Sequence, residues 1–440
     1  MQHRTLTLTV LALFSWFGQN ALCQAPGVKI TSYDIKTSLN LVSRELQVSA
    51  EVELVKADSV AVFQMMLNSG ANIGSVRCTV QDAQVDLSHR FLGQDTLLLT
   101  LPPELAASRN LTLNFYYSLP VSDSKAQVIV LDRGNRWYPL ILDQIARFKL
   151  TASVPLGYTV FAPGDLVEKK DFGNHSQFVW QSKIPVFKLS FITAKSDFYK
   201  ETSIQCDSSV IAFYSPGGDK ESIERILAEA CSAFKFYSQS IGEYHDNSLT
   251  LVEVPGMGGT NISTGLLMVD STFIGEFKNG NSDMLLLPIA CQWMAAGVFF
   301  EFLGKEFWFL QLSLPHYLRL RYLEKTKGEL AFVQEMQRGL DAYKKIAGSE
   351  KEVSIMDVDF PNTREKATAI YGKGPYVFDK VRRQIGDDNW DKLIQDIYKD
   401  FKGKILTYDE FIKYLSRYDQ NGAAVAKLNK MVTEKGVPGD

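Results

Sequence analysis

The sequence predicts a multi-domain α+β protein in which an antiparallel β-sandwich precedes a mainly helical domain. Three observations support this fold class: the chain has 440 residues, its first half repeats a two-residue apolar alternation, and its second half repeats a helical one. A chain of this length exceeds one ordinary domain, so at least two are expected. With 45% apolar and 22% charged residues, the composition is typical of a globular protein with a buried core.

The N-terminus has the pattern of a signal peptide, predicted to span residues 1–23. Arg4 provides a short basic region, and the apolar run from Leu6 to Phe17 follows it. Small residues then occupy the two positions that a signal peptidase reads, so cleavage is expected after Cys23. Lipidation of Cys23 is disfavoured because Leu22 is large for the residue before a lipidated cysteine. The mature protein is therefore expected to be exported, to the periplasm or out of the cell.

Residues 24–200 are predicted to form the β-sandwich. Apolar and polar residues alternate from Tyr33 to Leu41 and again from Leu46 to Leu54, with a turn around Ser43 between them. This period of two indicates a hairpin with one buried face. No convincing helical pattern interrupts the later strand-like runs, which favours a sandwich. Those later runs lie at 97–101, 111–117, 148–154 and 178–191.

Residues 201–440 are predicted to form the second, mainly helical domain. Asp219 is a candidate N-cap for a helix whose apolar face extends from Ile223 to Tyr237. Short strands are predicted at 249–254 and 266–269, on either side of the glycine-rich PGMGGTNISTG. From about residue 284 the chain is mainly helical. In this part, Thr407-Tyr-Asp-Glu has the T-x-x-E form of a capping box at the start of a helix.

Two segments have features of a transmembrane helix or of a phosphate-binding loop, but their details disfavour both interpretations. Met284 to Phe300 is a run of 17 uncharged residues, near the lower limit for a transmembrane helix. It contains Pro288 and Gly297, so a buried core helix is favoured. The glycine-rich Gly256 to Asn261 lacks the directly following helix on which a phosphate cradle depends. A tight loop between edge strands is favoured there.

The cysteines and the charge balance say little about function. Cleavage would leave Cys78, Cys206, Cys231 and Cys291. An exported protein can form disulfides, but no CxxC spacing indicates a particular pair, and four small buried side chains remain an equally valid interpretation. The formal net charge of -3 gives no reason to expect nucleic acid or an anionic membrane as a partner.

The order of these features resembles the M1 family of zinc aminopeptidases, which are gluzincins. A β-sandwich precedes a glycine-rich segment, then a helix ending in Gln292-Trp293, then an aromatic helix, then YGKG. The resemblance covers nearly the whole mature chain and implies that the second domain is thermolysin-like. The segments similar to family landmarks are WYPL at 137–140, SVPLGYTVFAPGDL at 153–166, YGKGPYVFDKVRRQIGDDNW at 371–390 and the closing GVPGD.

The resemblance also implies a degenerate zinc site. The family motif is H-E-x-x-H followed by Gln-Trp, in which both histidines bind zinc and the glutamate is the general base. When Gln292 and Trp293 serve as the anchor, Leu287 stands at the first histidine, Pro288 at the glutamate and Cys291 at the second histidine. We therefore expect the zinc to have been lost and no cofactor to be bound.

Other family positions are altered in the same way. FLQLSLPHY at 309–317 puts Leu312 at the glutamate that is the third zinc ligand, although the spacing departs by about two residues from the family pattern. GTNIS at 259–263 puts Ile262 at the glutamate of the amino-group motif G-A-M-E-N. Tyr371 of YGKG matches the tyrosine that stabilises the oxyanion in the family.

The sequence therefore predicts an exported pseudopeptidase, which binds a peptide or protein in the former cleft or is a scaffold within an envelope assembly. No transmembrane segment is expected after signal cleavage. One alternative is an active zinc aminopeptidase with an atypical site that uses Cys291, His316, Glu301 or Glu306. Another is a hydrolase with Cys291 as nucleophile, although its sequence neighbours offer no base or cation to lower its pKa.

Overall fold

The computed structural model describes residues 27–80, 83–121, 127–217 and 219–437. The predicted signal peptide lies outside these ranges, as do the last three residues of GVPGD. Strands dominate the first part of the described chain and helices the second. The strands of the first part are β1 (Val28–Asn40), β2 (Glu45–Lys56), β3 (Val62–Met66), β4 (Asn72–Val80), β5 (Ala83–Asp86), β6 (Ser88–Gly93), β7 (Thr96–Thr100), β8 (Asn110–Pro120), β9 (Val128–Leu131), β10 (Arg147–Pro155), β11 (Tyr158–Phe161), β12 (Asp165–Phe172), β13 (His175–Gln181) and β14 (Phe191–Lys195).

These strands form one large sheet and two small ones. The large sheet has the order β12-β13-β10-β1-β2-β8-β4-β5, and the small sheets have the orders β11-β14-β9 and β3-β7-β6. Neighbours in the large sheet are antiparallel except β1 and β10, which are parallel. The predicted hairpin is confirmed as β1 and β2, where Thr37 pairs with Val48. Apolar residues on alternate positions of both strands are buried, as the period of two requires.

One predicted strand divides into two. The run 178–191 comprises the end of β13, a connection, and the start of β14. Pro185 lies in the connection, where its missing N–H removes a donor that a continuous strand would need. The connection carries Phe187 and Lys188, which are important for the site described below.

The second part of the described chain combines a five-stranded sheet with helices. The sheet has the order β15-β16-β17-β19-β18, and β18 is an antiparallel edge strand. π-helical segments, Phe309–Ser313 and Ala369–Lys373, directly precede α4 and α7. The elements are β15 (Lys200–Cys206), β16 (Ser209–Ser215), α1 (Lys220–Ser240), β17 (Ser248–Glu253), β18 (Thr260–Ser263), β19 (Leu266–Val269), α2 (Phe273–Lys278), α3 (Asp283–Cys291), β20 (Phe299–Phe300), α4 (Leu314–Lys327), α5 (Glu329–Lys344), α6 (Arg364–Thr368), α7 (Gly374–Ile385), α8 (Asp387–Phe401), β21 (Ile405–Leu406), α9 (Tyr408–Ser416) and α10 (Ala423–Thr433).

The predicted starts of α1 and α9 are at the correct positions, but only α9 is capped as predicted. The capping box at α9 is confirmed, with Thr407 and Glu410 each accepting a hydrogen bond from the other's backbone N–H. Asp219 does precede α1, but its side chain makes no capping bond to the backbone. Its carboxylate instead accepts a hydrogen bond from Ser222 Oγ at 2.8 Å and pairs with Lys278 Nζ at 3.1 Å.

The expectation of one core helix from Met284 to Phe300 is wrong. The helix α3 ends at Cys291, and the chain turns before β20. Ala295 has a φ of 127°, outside the helical region. A Cβ at Gly297 would lie 2.6 Å from the carbonyl oxygen of Gln292, so the turn needs glycine there. In the ranges that the structure describes, no helix is long and apolar enough to cross a membrane.

The four cysteines of the predicted mature chain fall into two classes. Cys206 at the end of β15 and Cys231 in α1 form a disulfide, and their Cα atoms are 5.6 Å apart. Cys78 and Cys291 are free and buried. The two bonded residues lie 25 positions apart in the chain, a spacing from which sequence alone could not identify the pair.

Candidate functional site

The end of α3 is fixed by the side chain of Gln292, which is fully buried. Its Oε1 accepts hydrogen bonds from Tyr244 Oη at 3.1 Å and from the backbone N–H of Gly265 at 2.9 Å, and its Nε2 donates to the carbonyl of Ser263 at 3.0 Å. These bonds join α3 to the turn between β18 and β19. Every bond is within the protein, so this amide has a structural role that needs no metal.

Trp293 is held in place by aromatic side chains that pack around its ring. Its ring centroid lies 5.1 Å from Phe234, 5.4 Å from Tyr237 and 5.2 Å from Tyr244. Its Nε1 donates to the carbonyl of Gly242 at 2.8 Å. Buried aromatic clusters contribute through both burial and ring geometry. Contacts within the protein therefore account for the presence of both Gln292 and Trp293.

A small cavity lies where β18, α3 and the π-helical segment Phe309–Ser313 meet, and it has a volume of about 30 Å³. Three residues singled out from the sequence, Ile262, Cys291 and Leu312, line it together. The other lining residues are Phe187, Lys188, Ser263, Thr264, Ala295, Ala296, Phe299 and Gln311. Space of this size holds about two water molecules. These three positions therefore converge on one site, whose enclosed part accepts an end group rather than a whole residue.

Two of the predicted positions lie deeper in α3. Leu287 is buried, with 4% of its surface exposed, and Pro288 is buried too, but neither lines the cavity. A proline is tolerated in the first turn of a helix, where its missing N–H would have no helical partner. The helix begins earlier, at Asp283, and Pro288 lies inside it. The proline has no N–H to donate to the carbonyl of Met284, so α3 lacks one helical bond.

Tyr371 lies in the π-helical segment Ala369–Lys373 and its ring centroid is 5.7 Å from that of His316. Burial raises the pKa of Tyr371. The phenol is therefore protonated at neutral pH and able to donate a hydrogen bond. Ser313 Oγ donates to the carbonyl of Ile370 at 2.6 Å, which couples the two π-helical segments beside the cavity.

The donor set does not fit a zinc ion. Tetrahedral zinc needs nitrogen, oxygen or thiolate ligands from about three side chains, and leucine at 287 and 312 has no lone pair. Within the described ranges, no three His, Cys, Asp or Glu side chains are grouped so as to hold a metal. His316 Nε2 instead lies 3.3 Å from Arg319 Nη2, while Glu301 is exposed and Glu306 half-buried.

Cys291 is not an activated nucleophile. Burial raises the pKa of its thiol to about 12, and the nearby charge of Lys188 only partly opposes this. A cysteine nucleophile reacts as the thiolate, which is scarce at neutral pH when the pKa is so high. This argues against the hydrolase with Cys291 as nucleophile.

Sequence reasoning missed Lys188, the charged residue of the cavity wall. Its Nζ lies 3.5 Å from Asn261 Oδ1, and Asn261 Nδ2 donates to Asp132 Oδ2 at 3.2 Å. Burial lowers the pKa of Lys188 to about 8, while Asp132 acts in the opposite direction. The available signal was a lone lysine within the otherwise apolar segment IPVFKLSF at 184–191.

The overall fold matches solved structures of M1 zinc metallopeptidases. A glutamate-to-alanine mutant of the enzyme from Deinococcus radiodurans, bound to the peptide Tyr-Ser-Ala, is 15% identical with a TM-score of 0.74, over 98% of this chain and 99% of that one. The enzyme from the same organism without this mutation is 15% identical with a TM-score of 0.74, over 95% and 97%. A mutant two-domain M1 zinc metallopeptidase bound to L-arginine is 14% identical with a TM-score of 0.74, over 98% and 99%.

The sequence itself matches no family model and no curated protein. At 14–15% identity the structural likeness establishes the fold and not the chemistry. The expected architecture is confirmed: a β-rich N-terminal part precedes the helical part of a two-domain M1 peptidase fold.

Proposed function

We propose that this chain, which has the fold of the M1 zinc metallopeptidases, is an exported pseudopeptidase that binds a peptide or protein segment in its cleft without hydrolysing it. The observation that carries the proposal is the convergence of Ile262, Cys291 and Leu312 on one cavity. These residues occupy the positions of amine recognition and of two metal ligands in the sequence resemblance. Not one of the three carries a carboxylate or an imidazole.

The chemistry of the altered positions supports the same function. Peptide hydrolysis by this fold needs a metal to activate water and a general base to accept its proton. Proline at 288 has no base, and leucine at 287 has no lone pair for a metal. Changes at several positions together remove both the metal ligands and the general base, whereas a single change would affect only one of them. We therefore expect a cleft that retains its shape and lacks catalysis.

Two further observations support ligand binding and export. The similar D. radiodurans structure contains a bound Tyr-Ser-Ala peptide, and we infer that the same region of this fold receives peptide here. The disulfide between Cys206 and Cys231 is a bond typical of oxidising compartments outside the cytosol. It is consistent with the signal-peptide pattern of residues 1–23.

Metal content and hydrolysis of the mature protein test this function. We expect far less than about one equivalent of zinc after purification in zinc-supplemented buffer. We also expect no chelator-sensitive hydrolysis of leucyl-aminocoumarin. Bound zinc at about one equivalent that is lost in Cys291→Ala or His316→Ala, but kept in the exposed-histidine control His89→Ala, would establish the atypical aminopeptidase instead.

A further inference from the structure

The charge lining the cavity is positive. Of the described residues that line it, Lys188 is the one with a charged side chain at neutral pH, and none is an aspartate or a glutamate. The Cys291 thiol is neutral because burial raises its pKa. A free amino group entering this cavity would therefore meet an ammonium and no carboxylate.

The position of Lys188 is supported from both domains. The residue belongs to the connection between β13 and β14, and it reaches Asn261 on the edge strand β18. Asn261 in turn donates to Asp132, so one amide holds the lysine and the aspartate in fixed relation. The half-buried ammonium has lost part of its hydration, so an anionic ligand group that enters the cavity beside it would be stabilised by its charge in addition to its contacts within the protein.

A second cation stands behind the same wall. The guanidinium of Arg133 stacks over the ring of Phe187 at 3.9 Å, and Phe187 lines the cavity. Arg133 donates to the backbone carbonyls of Phe187, Ile141 and Leu142. Its charge is thus held by carbonyl dipoles. Two acidic residues oppose these cations, Asp132 beside Lys188 and Asp143, whose charge acts on Arg133. Neither carboxylate lines the cavity, so the charge that a ligand meets in the cavity is that of Lys188.

Most of the remaining lining is apolar, apart from Ser263, Thr264 and Gln311. Ile262 of β18, Phe299 of β20 and Leu312 of the π-helical segment all line the cavity. An isoleucine stands where the sequence resemblance places the glutamate that holds a substrate amine. The enclosed space of about 30 Å³ matches a group with two oxygen atoms, since it holds about two waters.

We propose that the cavity binds the terminal carboxylate of its ligand, paired with Lys188 Nζ, and so selects a peptide C-terminus or an N-acylated amino acid rather than a free N-terminus. The inference rests on the proposed function, because it names the ligand of the same cleft. The cavity would then select a negative end group, whereas the glutamate that the sequence resemblance places at position 262 holds a positive amine. The apolar walls would pack against the adjoining part of the ligand, as in other ligand sites with few polar groups.

Two probes with the same side chain and opposite end groups test the inference. N-acetyl-L-leucine has a carboxylate and no free amine, and L-leucinamide has an amine and no carboxylate. Calorimetric titration of the mature protein is expected to show N-acetyl-leucine binding at least about tenfold more tightly. Lys188→Met should remove this preference, whereas Lys195→Met, an exposed lysine at the end of β14, should retain it.

A charge-reversal variant distinguishes a change in ligand preference from a simple loss of binding. The double substitution Lys188→Met with Ile262→Glu is expected to prefer leucinamide, and thermal unfolding checks that every variant is folded. Equal or tighter binding of leucinamide by the unaltered protein, an unchanged preference in Lys188→Met, or no binding of either probe would overturn the carboxylate site. These outcomes leave the pseudopeptidase proposal standing, since zinc content and hydrolysis decide that proposal separately.

Discussion

A buried histidine–aspartate pair, which does not line the cavity, lies where the two parts of the chain meet. His245 Nε2 is 3.5 Å from Asp246 Oδ2, and both side chains are fully buried. Burial, followed by the charge of Asp165, raises the pKa of Asp246 to about 7. Burial and the charges of Lys402 and Lys183 lower the pKa of His245 to about 3. Between about pH 3 and about pH 7 the pair is therefore a neutral acid beside a neutral imidazole.

Because the two pKa values are shifted in opposite directions, their effects on the pH dependence of the free energy of unfolding cancel. Removal of one partner would end this cancellation. The raised pKa of Asp246 contributes stability that is full below its ordinary value of 3.8 and is lost as the pH rises through about 7. The lowered pKa of His245 contributes stability that is full above 6.5 and is lost as the pH falls towards about 3. Between about pH 4 and pH 6.5 the two slopes have opposite signs, so their sum is nearly flat.

We predict that Asp246→Asn removes the cancellation. Relative to the unaltered protein, the free energy of unfolding of this variant should rise by about 2–4 kcal/mol from about pH 4 to about pH 7, since one pKa unit corresponds to about 1.4 kcal/mol. Urea unfolding at several pH values measures this difference. Asp171→Asn, at an exposed position, should give a curve parallel to that of the unaltered protein. A parallel curve for Asp246→Asn itself would contradict the prediction.

At the residue scale, motif spacing predicted part of the site and missed the rest. The sequence resemblance singled out Ile262, Cys291 and Leu312 from their positions relative to family motifs, the last at a spacing that departs by about two residues. Lys188 was missed because its place in the wall depends on the path of a connection and on Asn261 across the cleft. Nothing in the sequence indicated the pair formed by His245 and Asp246, since burial of adjacent polar residues leaves no periodic signal.

At the scale of elements, the two π-helical segments determine the shape of one side of the site. Phe309–Ser313 carries Leu312 into the cavity wall, and Ala369–Lys373 carries Tyr371, which is not among the lining residues. The segments approach closely because glycine at position 374 leaves room for Ser313. Short π-helical insertions occur often at functional sites, and here they place two side chains that the sequence resemblance singled out.

We predict that Gly374→Ala separates these segments. A Cβ at this position would lie 2.1 Å from Ser313 Oγ and 2.5 Å from Ser313 Cβ, so the backbone would have to move. Overpacking of this kind costs about 1–3 kcal/mol, and urea unfolding should show it as a lower transition midpoint. Gly275→Ala in α2 is the matched control, because nothing lies within 4 Å of its Cβ position. The idea fails if the two alanine variants are equally stable.

Hydrophobic periodicity predicted elements well where one face alone is buried, as in β1, β2 and α1. It failed for Met284 to Phe300, because a run that is buried on all sides has no period from which to locate a helix end. The end depends instead on the buried side chain of Gln292 and on the turn formed by the backbone at Ala295 and Gly297. The π-helical segments were likewise not predictable, since contacts distant in sequence, such as Ser313 with Ile370, accompany them.

At the scale of the whole molecule, separate hydrophobic cores lie in the two parts of the chain. One core is formed by buried residues between Val28 and Phe191, and another by buried residues between Cys206 and Val432. A smaller cluster joins the two parts, because it packs Ile192 with Leu266. The disulfide between Cys206 and Cys231 lies within the second core, so its oxidation state bears on the stability of the part that contains the cleft.

We predict that the second core needs an oxidising compartment for full stability. The bond closes a loop of 25 residues, for which the loss of chain entropy in the unfolded state is worth about 3 kcal/mol. Unfolding in reductant should lower the free energy of unfolding of the mature protein by about this amount. The double variant Cys206→Ala with Cys231→Ala should not respond to reductant, and Cys78→Ala, which leaves the bond intact, should respond fully. Alkylation of the denatured, exported protein should label Cys78 and Cys291, and labelling of all four cysteines would contradict both the bond and this support for export.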